Sequence, residues 1–156
     1  MPNARPLSRI EGFTLIELLI VIAIIGIVAG IAIPTYHSSV RKANEAAAVT
    51  TLNAIKVAQA KYVVDHKGHY GTFRELFEEG YLDKRFNYDQ PHLRGYVFTI
   101  TLVPKTEKQS ASFAANADPE QSQGITATGR YFYYTDAENA ICFSKTGPAT
   151  AADEAL

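Results

Sequence analysis

Gly12-Phe13-Thr14-Leu15-Ile16-Glu17 opens the stretch that decides this chain, and the apolar run Leu18 to Ile33 follows it directly. From Phe13 to Ile33 the sequence carries one charge, Glu17. At about 1.5 Å rise per residue the segment makes a helix of roughly 31 Å, enough to cross the hydrocarbon core of a bilayer. A carboxylate inside such a segment costs about 2.5–3.5 kcal/mol unless a partner neutralises it. A plain signal anchor leaves that cost standing, so the reading of the chain depends on what uses Glu17.

The residues before the run, MPNARPLSRIEG, are polar and carry Arg5 and Arg9 against Glu11. Basic residues ahead of an apolar helix hold that end in the cytoplasm, so the chain beyond Ile33 is expected to be translocated. An ordinary secretory signal has a shorter apolar region with a small-residue cleavage site after it. Here the run is longer, no A-x-A-like site follows, and the small residue Gly12 precedes it. A cut at Gly12 removes the leader and keeps the membrane helix.

The string from Gly12 through Val21 resembles the processing and assembly motif of type IV pilins and the related pseudopilins of type II secretion. Gly12, Phe13 and Glu17 match that motif residue by residue, and Pro34 matches the proline at the end of the family's apolar segment. The resemblance implies cleavage between Gly12 and Phe13 by a prepilin peptidase, a membrane aspartic protease, and N-methylation of the new Phe13 amine. Under it, Glu17 of one subunit pairs with the Phe13 amine of a neighbour and sets the register of assembly.

Beyond the motif, Gly26 and Gly30 form a G-x-x-x-G pair. Such pairs let membrane helices approach closely, although small residues are common in membrane helices generally. Gly and Pro cost about 1 and 3 kcal/mol in a helix interior. Gly26, Gly30 and Pro34 therefore bracket the weakest part of the helix, where a bend in the free subunit and partial unwinding in a filament are expected. The helix is then expected to resume and run to about His66. Val40, Ala47 or Ala48, Leu52, Ile55, Ala58 and Tyr62 mark one apolar stripe, with Arg41, Lys42, Glu45, Lys56 and Lys61 on other faces.

After a stop at Gly68, Thr72 and Glu75 have the spacing of a capping box before a short helix ended by Gly80. Residues 83–93 read as a loop. Strands are expected at Gly95–Val103, Ser110–Asn116, Arg130–Tyr134 and Ala140–Ser144, and a fraying tail from Thr146 to Leu156. The expected fold is α+β, a pilin fold. A long N-terminal helix, transmembrane in its first half, packs its second half on a small antiparallel sheet of three or four strands. The expected divisions are a leader at 1–12, a membrane or filament-core helix at 13–34, an amphipathic helix at 35–67 and a globular head at 68–156.

The chain has 156 residues, a formal net charge of −1 and one cysteine, Cys142. That balance argues against nucleic acid as a partner, and one cysteine excludes an intrachain disulfide. His66-x-x-His69 lacks further ligands for a metal. Asp118, Asp136, Glu138 and Asp153 lack EF-hand spacing for calcium. Cys142 reads as a small buried hydrophobe, and Tyr131-Phe132-Tyr133-Tyr134 as strand and core. No catalytic triad or nucleotide loop is present in the sequence, so neither a cofactor nor an enzyme is expected.

The resemblance implies a structural subunit that waits as a single-pass inner-membrane protein and polymerises into an extracellular helical filament for adhesion, motility or uptake. Its implied partners are other copies of itself, the peptidase and methyltransferase, an inner-membrane platform driven by cytoplasmic ATPases, and an outer-membrane secretin. The alternatives are a pseudopilin of type II secretion and a minor pilin that binds DNA or surfaces.

Overall fold

The computed structural model describes residues 12–107, 109–138 and 140–156. They divide into two compact units, one ending at Tyr36 and the other running from His37 to Leu156. A single α-helix, α1 (Leu15–Asp65), supplies the first unit and opens the second. Pro34 lies inside it, and one residue on the Thr35 hydroxyl donates back to Ile31 O at 2.8 Å. In the first unit the apolar side chains are uncovered, Ile27 and Ile31 each being 68% exposed. Among the described residues, this is the one helix long and apolar enough to cross a membrane.

In the second unit the helix becomes amphipathic. Ala48, Leu52, Ile55, Ala58, Gln59 and Tyr62 are its buried residues. Their three- and four-residue steps place them on one face. Of the two alanines at the start of the stripe, Ala48 is the buried one, and Val40 remains exposed. The stripe packs in one core with Phe73, Leu76, Phe86, Tyr96, Phe98, Phe113 and Tyr133.

The short helix α2 (Phe73–Glu78) begins as its sequence dictates. The Thr72 side chain accepts from the Glu75 N–H, and the Glu75 carboxylate accepts from the Thr72 N–H at 2.7 Å. Phe73 and Leu76 are the buried pair, while Phe77 is only half-buried. Gly80, at φ +79°, ends the helix in the left-handed conformation that glycine adopts most readily.

Six antiparallel strands follow in sequential order: β1 (His92–Leu93), β2 (Tyr96–Val103), β3 (Ser112–Pro119), β4 (Phe132–Asp136), β5 (Cys142–Ser144) and β6 (Glu154–Ala155). The α+β architecture is as expected, but the sheet exceeds three or four strands by the two-residue strands at its edges. The segment 83–93 is not simply a loop. Asp83 caps a 3-10 turn at Lys84–Phe86, which buries Phe86, and β1 closes the segment. β3 extends past the expected end at Asn116 to Pro119. It can do so because β4 pairs with β3 only as far as Ala117, so Pro119 sits where one side of the ladder is open. The tail does not fray: Glu154 and Ala155 pair with β5, and Leu156 N–H donates to Ile141 O at 2.8 Å.

Candidate assembly site

The residues expected to carry function all lie in the first unit: Gly12, Phe13 and Glu17 at the start of α1, and Gly26, Gly30 and Pro34 within it. Gly12 and Phe13 precede the helix without regular structure, and Phe13 is 81% exposed. Leader residues 1–11 lie outside the described residues. Thr14 N-caps α1. Its N–H and hydroxyl both donate to one oxygen of Glu17, at 2.9 and 2.7 Å, and the Glu17 N–H donates back to the Thr14 hydroxyl at 3.2 Å. Glu17 is thus the third helical residue of a capping box, in the same Thr-x-x-Glu pattern as Thr72–Glu75.

The Thr-x-x-Glu spacing is itself the sequence signal of this partner. A carboxylate this near a helix start also meets the positive end of the helix dipole. In the single chain, then, Glu17 is not bare: two donors of Thr14 satisfy one of its oxygens. Among the described residues, the donors to Glu17 are those of Thr14, both on Oε2. Gly26 and Gly30 lie on exposed helix surface, and a Cβ added at either meets nothing within 4 Å. Both therefore leave shallow places on the helix where another backbone can come close.

The chain matches the family model described as "Prokaryotic N-terminal methylation motif" over residues 7–33. It is 42% identical over 79 residues to the "Type IV major pilin protein PilA" of Myxococcus xanthus (strain DK1622), covering 51% of this chain and 34% of that protein. This N-terminal segment is similar to that of type IV pilins. A "Fimbrial protein" of Pseudomonas aeruginosa is 46% identical over 57 residues, 36% of this chain and 37% of its own length. A "Type IV major fimbrial protein FimA" of Dichelobacter nodosus is 46% identical over 55 residues, 35% of this chain and 34% of its own. The chain spans about a third of the length of the curated relatives it matches. These relatives are named as pilins and fimbrial proteins. No solved structure matches.

In the second unit, no other expected group assembles into a site. His66 stacks on the Tyr62 ring at 3.8 Å, and its Nε2 lies 3.1 Å from the Glu79 carboxylate, while His69 is exposed. His66 thereby closes the turn between α1 and α2 rather than pairing with His69. Among the described residues no cluster of three His, Cys, Asp or Glu side chains could hold a metal. Of the four acids considered for calcium, Asp136 accepts from the Tyr134 hydroxyl and Asp153 from the Thr150 N–H. Asp118 is half-buried with Oδ1 unpartnered, and burial raises its pKa above the ordinary 3.8. Of the aromatic run, Tyr133 is in the core and Tyr131 packs against it, while Tyr134 is half-buried; burial pushes the Tyr133 phenol up to about 12.

Proposed function

We propose that this chain is the structural subunit of a type IV pilus. It waits in the inner membrane with its leader in the cytoplasm, is cut between Gly12 and Phe13, is methylated on Phe13, and polymerises into an extracellular helical filament. The observation that carries this reading is the methylation motif at residues 7–33, coupled to a first stretch of α1, through Ile33, whose large apolar side chains are exposed in the single chain. Lipid covers that surface before assembly, and the same helices of neighbouring copies cover it afterwards.

Within this reading Glu17 carries assembly. Cleavage makes Phe13 an N-terminal amine, a charge as costly in hydrocarbon as the carboxylate. The Phe13 amine of an incoming subunit is the natural second donor to Glu17 of its neighbour, and the pair cancels both costs. Gly26, Gly30 and Pro34 let the far end of the segment bend or unwind as copies pack. The peptidase and methyltransferase, a membrane platform with cytoplasmic ATPases, and a secretin serve this cycle, since the chain carries no nucleotide motif.

The pilus reading is preferred to the type II pseudopilin because the relatives are named as pilins and fimbrial proteins. Intact mass and N-terminal sequencing of the mature protein test the processing step. A chain that begins at methylated Phe13 supports the proposal, and one that keeps its leader beside an active peptidase refutes it. Deletion separates the two filaments: loss of surface filaments supports the pilus, whereas loss of enzyme secretion with filaments intact supports the pseudopilus.

A further inference from the structure

The strand register puts Thr99, Asn116, Tyr134 and Cys142 in one row across the sheet, on the face opposite the row Phe98, Ala117 and Tyr133 that enters the core. The outer face of an antiparallel sheet commonly meets water. Cys142 nevertheless is only 4% exposed. The segment after β5 accounts for this. The Asn116 amide of the outer row donates to Ala149 O at 2.9 Å, and Ala149 is itself 2% exposed. The chain then turns through a box in which the Thr150 N–H and hydroxyl donate to Asp153 Oδ2, each at 2.8 Å, and returns as β6 along β5.

The segment is lightly held. Among the described residues its ties to the rest of the head are two registered residue pairs with β5, the Leu156 N–H to Ile141 O bond, the Asn116 amide, the Lys145 ammonium 5.7 Å from the Tyr131 ring centre, and Leu156 beside Tyr131, Tyr133 and Phe143. Ala149 is its one buried residue. The neighbouring pair β2 and β3, by contrast, is registered over eight positions and supplies Phe98, Phe113, Ala115 and Ala117 to the core. Elements with few buried contacts open well below the free energy of global unfolding.

We propose that residues 145–156 form a reversible clasp that opens as a unit while the rest of the head stays folded, baring the outer row and the Cys142 thiol. No covalent bond holds this clasp, and its state can be read directly because Cys142 is the chain's single thiol. The inference concerns the head alone and stands or falls separately from the filament reading.

The test is the rate at which an aromatic disulfide reagent labels Cys142 in the full chain in detergent, measured against denaturant concentration. Local opening exposes little surface, so labelling of the wild type should be slow and nearly flat at low denaturant, rising steeply only where global unfolding takes over. Asn116→Ala removes one hydrogen bond that exists only in the closed clasp, and should speed the flat phase about fivefold. Asp153→Ala breaks the Thr150 box from within the segment and should act in the same direction without touching the sheet. Labelling that follows the full unfolding slope from zero denaturant overturns the proposal, because the clasp then opens only with the whole head. Labelling at the rate of a free thiol in the wild type overturns it too, as does a flat phase that neither substitution moves.

Discussion

Gln59 is the polar residue on which the head's closure can be tested most sharply. It lies in the middle of the α1 stripe with no exposed surface. Its amide makes two hydrogen bonds to one residue twelve positions on: Nε2 donates to Gly71 O at 2.6 Å, and Oε1 accepts from the Gly71 N–H at 3.0 Å. Gly71 in turn lies over Tyr62, where an added Cβ would sit 3.1 Å from the ring. The pair therefore fixes the chain as it turns from α1 to α2. Gln59→Leu keeps the approximate volume but leaves one buried donor and one buried acceptor of Gly71 unpaired. At about 1–3 kcal/mol for each orphaned group, set against the transfer gain of an apolar side chain, the net loss should be about 2–4 kcal/mol. For a domain of this size that is a fall in melting temperature of roughly 6–20 °C. The assay is thermal unfolding of the full chain in detergent, followed by near-ultraviolet circular dichroism of its tyrosines. Amide exchange at Gly71 gives the local readout. A variant that melts within about 1 °C of the wild type, with Gly71 still protected, would refute the claim that these bonds hold the turn.

Gly129 makes a second structural prediction. A Cβ there would lie 1.9 Å from the hydroxyl of Tyr96, a ring with no exposed surface whose O–H donates to Tyr131 O at 3.0 Å. Gly129→Ala should cost about 2–3 kcal/mol by overpacking, whereas Gly147→Ala, where an added Cβ meets nothing within 4 Å, should change stability by less than about 0.5 kcal/mol. Thr14→Ala removes the cap of α1 and one side of the Glu17 box; amide exchange at Glu17 should quicken about fivefold in micelles, from a cap worth about 1 kcal/mol. Asp118→Asn should raise the melting temperature at neutral pH. Burial raises the folded pKa of Asp118 above 3.8, so its charged form is a penalty that is full above the folded pKa and vanishes below 3.8, and the gain should shrink as acid is added. Asp83 has the opposite sign. Its hydrogen bonds from Arg85 hold its pKa down at about 2, so its contribution is full above 3.8 and is lost as pH falls through 2, and Asp83→Asn should abolish that part of the acid profile.

What could be read from the sequence was what neighbours in the chain decide among themselves. The stripe Leu52, Ile55, Ala58, Tyr62 follows helix periodicity, and the Thr72–Glu75 box is a contact three residues long. Gly12, Phe13 and Glu17 are likewise nearly contiguous. What escaped depends on distant partners. Gln59 reads as a surface residue until Gly71 folds over it. Asn44 and Glu45 lie off the apolar stripe, yet Asn44 Nδ2 donates to Thr128 O and Glu45 accepts from the Arg130 N–H, so these two helix residues hold the loop between β3 and β4. Glu154 and Ala155 have poor strand propensity, and only the open edge of β5 makes them a strand.

The two Thr-x-x-Glu boxes show why the same local chemistry has different consequences. At Thr72–Glu75 the box stands at the surface of the head, where water can replace any bond it loses, and its work is finished when α2 is capped. At Thr14–Glu17 the same bonds sit at the mouth of an apolar helix. If that helix enters hydrocarbon, no water replaces them, and the box shields a charge it cannot neutralise. Thr14 offers dipoles, whereas a carboxylate in a low dielectric is fully compensated only by a cation. A subunit in the membrane is therefore held in a tolerable but incomplete state. The only cation the proposed processing creates nearby is the amine of Phe13, and under the proposed assembly the packing of copies would bring one to each Glu17. A double-mutant cycle separates the two roles. Thr14→Ala should loosen the first turn in the single chain, and Glu17→Ala should spare cleavage at Gly12 while blocking polymerisation. If Glu17→Ala subunits polymerise at the wild-type level, the shielded charge has no part in assembly, and the box is a cap like the other.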